Sequence, residues 1–147
     1  LPAGLNVKAY NHQLGERGIG FFTARQGAKR YRDDFPACLD QARMLLPVSS
    51  TAMRRRLDDW FEQNDLRPLV VAEFDDSALL KVFGETGHGL FPAPMTVSKM
   101  VERKYGVRLL MDLEGVTERV YAITLERRLT HPAIIRIREN SRTALFA

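Results

Sequence analysis

The sequence predicts an α/β fold with a substantially parallel sheet. Two observations predict it: short apolar runs typical of strands alternate with amphipathic helical patterns, and proline or glycine marks the ends of both. The chain has 147 residues, 45% hydrophobic and 27% charged, which suits a globular domain with one core or two small lobes.

The first predicted elements are two short strands. Residues 19–24 form an apolar run suited to a buried strand, and residues 25–34 lose periodicity, which indicates a loop or a short helix. Residues 44–47 form a second short strand that Pro47 stops.

The clearest helix follows this second strand. Its apolar residues are spaced as one stripe: Met53, Leu57, Trp60 and Phe61. Ser50 or Thr51 can cap its first N–H groups, and Asn64 and Asp65 end it before Pro68.

A second strand–helix unit comes next. Residues 69–72 predict a buried strand, and a helix is expected to begin at Asp75 or Asp76, whose carboxylate complements the helix dipole. The inner face of this helix is predicted to be Leu79, Leu80 and Phe83. Gly87 and Gly89 allow a tight turn.

The remaining elements are a short strand, two helices and two further strands. Leu90 and Phe91 form a strand pair that Pro92 and Pro94 end. A third helix starts near Thr96 and stops at Gly106, and its inward residues are predicted to be Val97, Met100 and Val101. Strands are expected at 107–110 and 119–125, and a last helix at 132–146.

Composition limits the possible functions. No run of 18 apolar residues and no signal peptide is visible, and the start without Met suggests a fragment. Cys38 is the one cysteine and is interpreted as a small apolar filler. The net charge of +4 admits a nucleic-acid partner, but acidic residues lie among the basic ones, which favours a solvated surface. No catalytic motif, cofactor motif or metal-ligand spacing is present.

Three strand ends are predicted to meet at one crevice. In parallel sheets ligands bind beyond the carboxyl ends of the strands, which here are residues 47–51, 74–77 and 91–94. The functional site is therefore expected at this end of the sheet.

The order of these elements resembles the effector-binding domain of LysR-type transcriptional regulators, a periplasmic-binding-protein-like fold. The residues that carry the resemblance are Leu46–Pro47, the helix before Arg67–Pro68, the strand and helix over 70–83, and Gly87-His88-Gly89-Leu90 with Pro94. Pro92 departs from the family, which usually carries an aliphatic residue there. Within the family, segments 74–79 and 91–94 look most like an activator of a sodium/proton antiporter gene.

The resemblance implies a division into two lobes. Residues 1–19 would end the truncated first lobe, residues 20–125 would form a nearly complete second lobe with both crossover strands, and residues 126–147 would be the final helix of the first lobe. It also implies a cytoplasmic homo-oligomer that pairs through this helix. DNA would be bound only by an N-terminal winged helix-turn-helix that this chain does not contain.

Candidate effector-binding residues follow from the strand ends and the resemblance. Ser49, Ser50 and Thr51 suit an anion or carboxylate, or simply cap a helix. Asp75, Asp76 and Ser77 offer oxygen ligands to a hard cation such as sodium, or again cap a helix. His88 is either a pocket donor with a pH response or an exposed turn residue. The complete candidate set is Thr23, Ser49, Ser50, Thr51, Phe74, Asp75, Asp76, Ser77, His88 and Phe91.

The leading hypothesis is thus an effector-sensing domain of a regulator, with a small molecule or an ion, sodium among them, as its ligand. A fragment of a periplasmic-type solute-binding protein is the main alternative, because it shares the fold. An α/β enzyme and a direct nucleic-acid binder are two others, and no paired acid and base supports the enzyme.

Overall fold

The computed structural model describes residues 9–124, except for the side chain of Arg30. The chain divides into two compact units, one made of Leu1–Arg17 with Arg119–Ala147 and the other of Gly18–Glu118. Within the described residues no helix has both the length and the apolar character needed to cross a membrane. The last helix predicted at 132–146 lies outside the described residues.

The described part of the chain is an α/β structure, as predicted, and it has five strands where six were expected. They are β1 (Tyr10–Ala24), β2 (Arg43–Pro47), β3 (Leu69–Phe74), β4 (Phe91–Pro94) and β5 (Val107–Thr124). One sheet has the order β4-β1-β5 and the other pairs β2 with β3. The β2–β3 pair is parallel, and Leu90 bridges Met44 in parallel. The pairing of β1 with β4 is antiparallel, so the expected parallel character holds for only part of the structure.

Four α-helices connect these strands. They are α1 (Ala28–Arg32), α2 (Ala52–Gln63), α3 (Ser77–Glu85) and α4 (Ser98–Tyr105). Both predicted caps are present, because the side chain of Thr51 accepts a hydrogen bond from Arg54 N and that of Asp76 accepts from Ala78 N and Leu79 N. The left-handed C-cap of α4 is Gly106, again as predicted.

Two clusters of buried side chains form the core of the Gly18–Glu118 unit. The first packs the α2 stripe residues Leu57 and Phe61 against β1 and β2. The second packs Leu80 of α3 and Val101 of α4 against Phe22 and Phe91. The helices therefore cover the strands with apolar side chains, which include the predicted inward residues Leu57, Phe61, Leu80 and Val101.

Strand boundaries differ most from the prediction. The two strands expected at 107–110 and 119–125 are one continuous strand, β5, and β1 starts nine residues before the predicted residue 19. Pro92 and Pro94 lie within β4 rather than ending the strand before it. An edge strand tolerates proline, and β4 is at the edge of its sheet.

Three burial predictions were wrong. The β3 residues Leu69 and Val71 are exposed, although a buried strand was expected. On α3 only Leu80 of the predicted inner face is buried, and on α4 Met100 is 42% exposed. A residue is buried only where another element covers it, and no described residue buries the side of β3 that carries Leu69 and Val71, whereas Ala72 and Phe74 pack against the second core cluster.

The described residues of the smaller unit include the first half of β1, up to Arg17, and the last residues of β5, from Arg119. A ring nitrogen of His12 and the hydroxyl of Thr124 are 2.9 Å apart. Arg119 Nε donates a hydrogen bond to Glu16 Oε1 at 3.2 Å. These cross-strand contacts hold the two strands together within this unit.

Candidate functional site

The carboxyl ends of β2 and β3 lie side by side. Pro47 is opposite Phe74 in the parallel register, and Val48 N donates a hydrogen bond to Phe74 O at 3.0 Å. The segments that follow, residues 48–51 and 75–77, therefore leave the sheet at the same end. Strand β4 continues in the same direction from the bridge between Leu90 and Met44, so its end also points this way.

The Ser49–Thr51 segment offers two uncommitted hydroxyls. Thr51 Oγ1 caps α2 by accepting from Arg54 N at 3.2 Å, and it donates to Val48 O at 3.0 Å. Ser49 and Ser50 are exposed, and neither hydroxyl has a hydrogen-bond partner among residues 9–124. The two serines, rather than the threonine, are thus available to a ligand.

The Asp75–Ser77 segment is largely a helix start. The Oδ1 atom of Asp76 accepts hydrogen bonds from Ala78 N at 2.8 Å and from Leu79 N at 3.3 Å. Asp75 and Ser77 are exposed. No cluster of three or more metal-ligating His, Cys, Asp or Glu side chains occurs in the described part of the chain. Capping therefore accounts for the position of Asp76 without any ligand.

Arg54 stabilises the carboxyl ends of β2 and β3, and no sequence pattern had indicated this role. Its guanidinium donates to Asp58 on α2 at 2.9 Å, to Glu73 on β3 and to Pro47 O on β2 at 2.9 Å. Burial lowers the pKa of Arg54, but Asp58 and Glu73 outweigh burial and raise the pKa above its ordinary value. The four-residue spacing of Arg54 and Asp58 predicts an ion pair on one helix face, whereas Glu73 comes close to Arg54 only when β3 pairs with β2.

The two candidate phenylalanines have different surroundings. Phe74 is partly buried, and its ring lies 5.4 Å from that of Phe83. Phe91 is fully buried and stacks on Phe22 at 5.6 Å. The side chain of Phe91 is therefore part of the core, and its backbone alone lies near the strand end.

Thr23 and His88 lie at the opposite end of the strands from the serines. Phe22 pairs with Phe91, so Thr23 is next to Leu90, and Leu90 bridges Met44 near the start of β2. His88 is in the turn before Leu90, and its carbonyl accepts from Arg43 Nε at 3.4 Å. The structure therefore separates the ten candidate residues into two groups rather than one crevice.

Cys38 occupies a structural position. It packs at the edge of the first core cluster, and its Sγ donates to Tyr31 O at 3.0 Å. Burial and the nearby charge of Asp34 raise the pKa of the Cys38 thiol, which disfavours the nucleophilic thiolate. The side chain thus behaves as the small filler that the sequence predicted.

The comparison of sequences matches residues 12–145 to the LysR substrate binding domain. The chain is 33% identical over 138 residues to the transcriptional activator protein NhaR of Escherichia coli K12. The match includes 94% of this chain but 45% of that relative, so the chain spans about half the length of the curated relatives it matches.

Solved structures give the same fold. The effector-binding domain of QuiR in complex with shikimate superposes with a TM-score of 0.66 at 14% identity, covering 93% of this chain and 64% of that one. CbnR, a LysR family transcriptional regulator, gives a TM-score of 0.69 at 11% identity, and the match covers 95% of this chain and 48% of CbnR. The effector domain of AmpR from Pseudomonas aeruginosa gives a TM-score of 0.65 at 16% identity, and the match covers 93% of this chain and 65% of that domain.

Proposed function

Because this chain belongs to the family of LysR substrate-binding domains, we propose that it is the effector-sensing part of a cytoplasmic DNA-binding transcriptional activator. The likeness to NhaR, which is itself a transcriptional activator, supports this proposal. The family assignment also favours a regulator over a solute-binding protein or an enzyme.

The observation that carries the proposal is the pair of exposed serines at the carboxyl ends of the parallel strands. Ser49 and Ser50 stand beside the N-terminus of α2, where free N–H groups and the helix dipole favour an anionic group. Shikimate, with which the effector-binding domain of QuiR forms a complex, is a small carboxylate, and we propose a ligand of similar size here. Such a ligand changes the conformation of the regulator only if it binds one arrangement better than the other.

We further propose that the regulator responds to sodium and pH. This proposal rests on the resemblance to an activator of a sodium/proton antiporter gene and on the exposed oxygen atoms of Asp75 and Ser77. Sodium prefers oxygen ligands of this kind. We propose that DNA is bound by another part of the full-length protein, and that two copies pair through the predicted helix at 132–146.

The test is a reporter assay with the full-length regulator carrying Ser50→Ala or Asp75→Ala. Each substitution should raise the inducer concentration needed for half-maximal expression by about tenfold, because charge-assisted contacts are lost. DNA binding without inducer should not change. Asp59→Ala is the matched control, because Asp59 is exposed on α2 away from the strand ends.

Ser50 and Asp75 are both exposed, so neither substitution should change stability by more than about 0.5 kcal/mol, and thermal unfolding of each variant is measured alongside induction. Unchanged induction in both variants would remove this end of the sheet from effector binding. A thermal-shift series with sodium, lithium, potassium and small acids separates the cation from the carboxylate. If sodium gives no shift beyond that of potassium, the sodium response is rejected.

A further inference from the structure

We propose that a cavity at the other end of the strands is a second ligand site, which takes a small oxyanion of the carboxylate or phosphate class. The cavity has a volume of about 310 Å³ and lies between the end of β1, the start of α1, the start of β2 and the Gly87–Leu90 turn. This is within the size range of small-molecule sites, which begins at about 300 Å³.

The charge of the lining favours an anion. Arg43 lines the cavity, as do His88 and Gln26, and no Asp or Glu is among its lining residues. Arg43 Nε donates to the carbonyl of His88 at 3.4 Å, but no carboxylate pairs with the guanidinium within residues 9–124. The Nη atoms of Arg43 are thus free to bind a carboxylate or phosphate in a bidentate manner.

The hydroxyl of a largely buried residue supplies a second donor. Thr23 is 6% exposed and is the one buried polar residue of the described chain. It lines the cavity, and its hydroxyl has no hydrogen-bond partner among the described residues. Thr23 Oγ1 is not one of the enclosed unpaired atoms of the described residues, so it is accessible from the cavity and can donate to a ligand oxygen there.

The wall that carries His88 is fixed by the backbone of β2. Leu90 N donates to Arg43 O at 2.9 Å, and Leu45 N donates to Leu90 O at 2.8 Å. A Cβ atom at Gly89 would lie 2.9 Å from Arg43 O, so only glycine permits this close approach. Gly87 has φ +83°, a conformation that favours glycine as well. The turn that carries His88 therefore needs little ordering when a ligand binds.

The remaining lining is apolar and suits the body of an organic anion. The ring of Tyr31 lies beside Gly27, where a Cβ atom would be 3.5 Å from both the ring and Thr23 Oγ1. Leu90 and Ala24 complete this side of the cavity. A flat acid could place its head group on Arg43 and Thr23 and its ring against Tyr31.

This cavity is distinct from the effector face of the proposed function. Four residue steps along β2 separate Arg43 from Pro47, which corresponds to about 13 Å of extended strand. The cavity and the Ser49–Ser50 face are thus at opposite ends of the same strands. Anion binding in the cavity does not depend on whether an effector binds at the Ser49–Ser50 face.

The experiment is calorimetric titration of the full-length protein with potassium phosphate and potassium benzoate at constant ionic strength. Arg43→Gln should weaken binding at least about tenfold, because a charge-assisted bidentate contact is lost. Thr23→Val, which keeps the shape but removes the hydroxyl, should weaken it about threefold. Arg103→Gln removes an equal charge from an exposed position on α4 and should leave binding within about twofold.

Each outcome decides the proposal. Binding of phosphate alone identifies a phosphate site, and binding of benzoate alone identifies a site for carboxylates with an apolar body. The proposal is overturned if neither probe binds up to about 10 mM, or if Arg43→Gln and Arg103→Gln weaken binding equally. Ser50→Ala should not alter these titrations, and a loss of binding in that variant would place the anion at the effector face instead.

Discussion

Leu79 and Leu80 are neighbours on α3 with opposite surroundings. Leu80 is 3% exposed and packs in the second core cluster, whereas Leu79 is 47% exposed. Their helix propensities are identical, so a substitution at either site differs only in the apolar contacts that it removes.

Leu80→Ala should lower the free energy of unfolding by about 2–5 kcal/mol, because it leaves a cavity against Val101 and Phe91. Leu79→Ala is the matched control and should cost less than about 1 kcal/mol. Urea unfolding of the two variants, followed by circular dichroism, measures both values. Equal destabilisation would show that the outer face of α3 is covered in the protein.

At the scale of elements, Arg54 connects α2 to the sheet. Its side chain is 13% exposed, and it reaches Asp58 on its own helix, Glu73 on β3 and the Pro47 carbonyl on β2. The two carboxylates are about half exposed, so solvent weakens each ion pair, but the three contacts share one guanidinium.

Arg54→Met should lower the free energy of unfolding by about 1–3 kcal/mol, because three hydrogen bonds are lost while the aliphatic packing is kept. The control is Arg56→Met on the same helix, since Arg56 is exposed and has no partner in the described part of the chain. Thermal unfolding at low and high salt checks the result. An effect of Arg56→Met as large as that of Arg54→Met would contradict the bridging role.

The elements themselves were largely predictable from local signals. The caps at Thr51 and Asp76 and the stop at Gly106 depend on residues within one turn, so sequence alone locates them. The exposure of β3 was not predictable, because an apolar run looks the same whether or not another element packs on it. The continuity of β5 was missed because its middle, including Gly115, lacks strand alternation.

At the scale of the whole molecule, residues 9–124 contain as many acidic as basic residues, so the net charge of +4 comes from the two ends of the sequence. Several basic residues are paired with acids, as in Arg54 with Asp58 and Glu73, Arg108 with Glu102, and Arg119 with Glu16. Such pairing leaves no continuous basic stripe of the kind that tracks a phosphate backbone among these residues.

The 147-residue chain should therefore bind duplex DNA only weakly, with any affinity at about 50 mM salt lost by about 200 mM. Fluorescence anisotropy of a labelled duplex at both salt concentrations measures this. The control is the full-length regulator, which is expected to retain binding at the higher salt. Submicromolar binding by the chain itself at the higher salt would revive the nucleic-acid hypothesis.

The sequence by itself determined the α/β class, the helix caps and the family resemblance, because these depend on local periodicity and on short motifs. It also named most of the polar residues at the strand ends. Only the tertiary structure decided which of them lie together. Strand direction and register place Ser49 and Ser50 at one end and Thr23 and His88 at the other, since pairing joins residues far apart in the sequence. The same pairing brings Arg43 to the cavity, a position that no local pattern reveals.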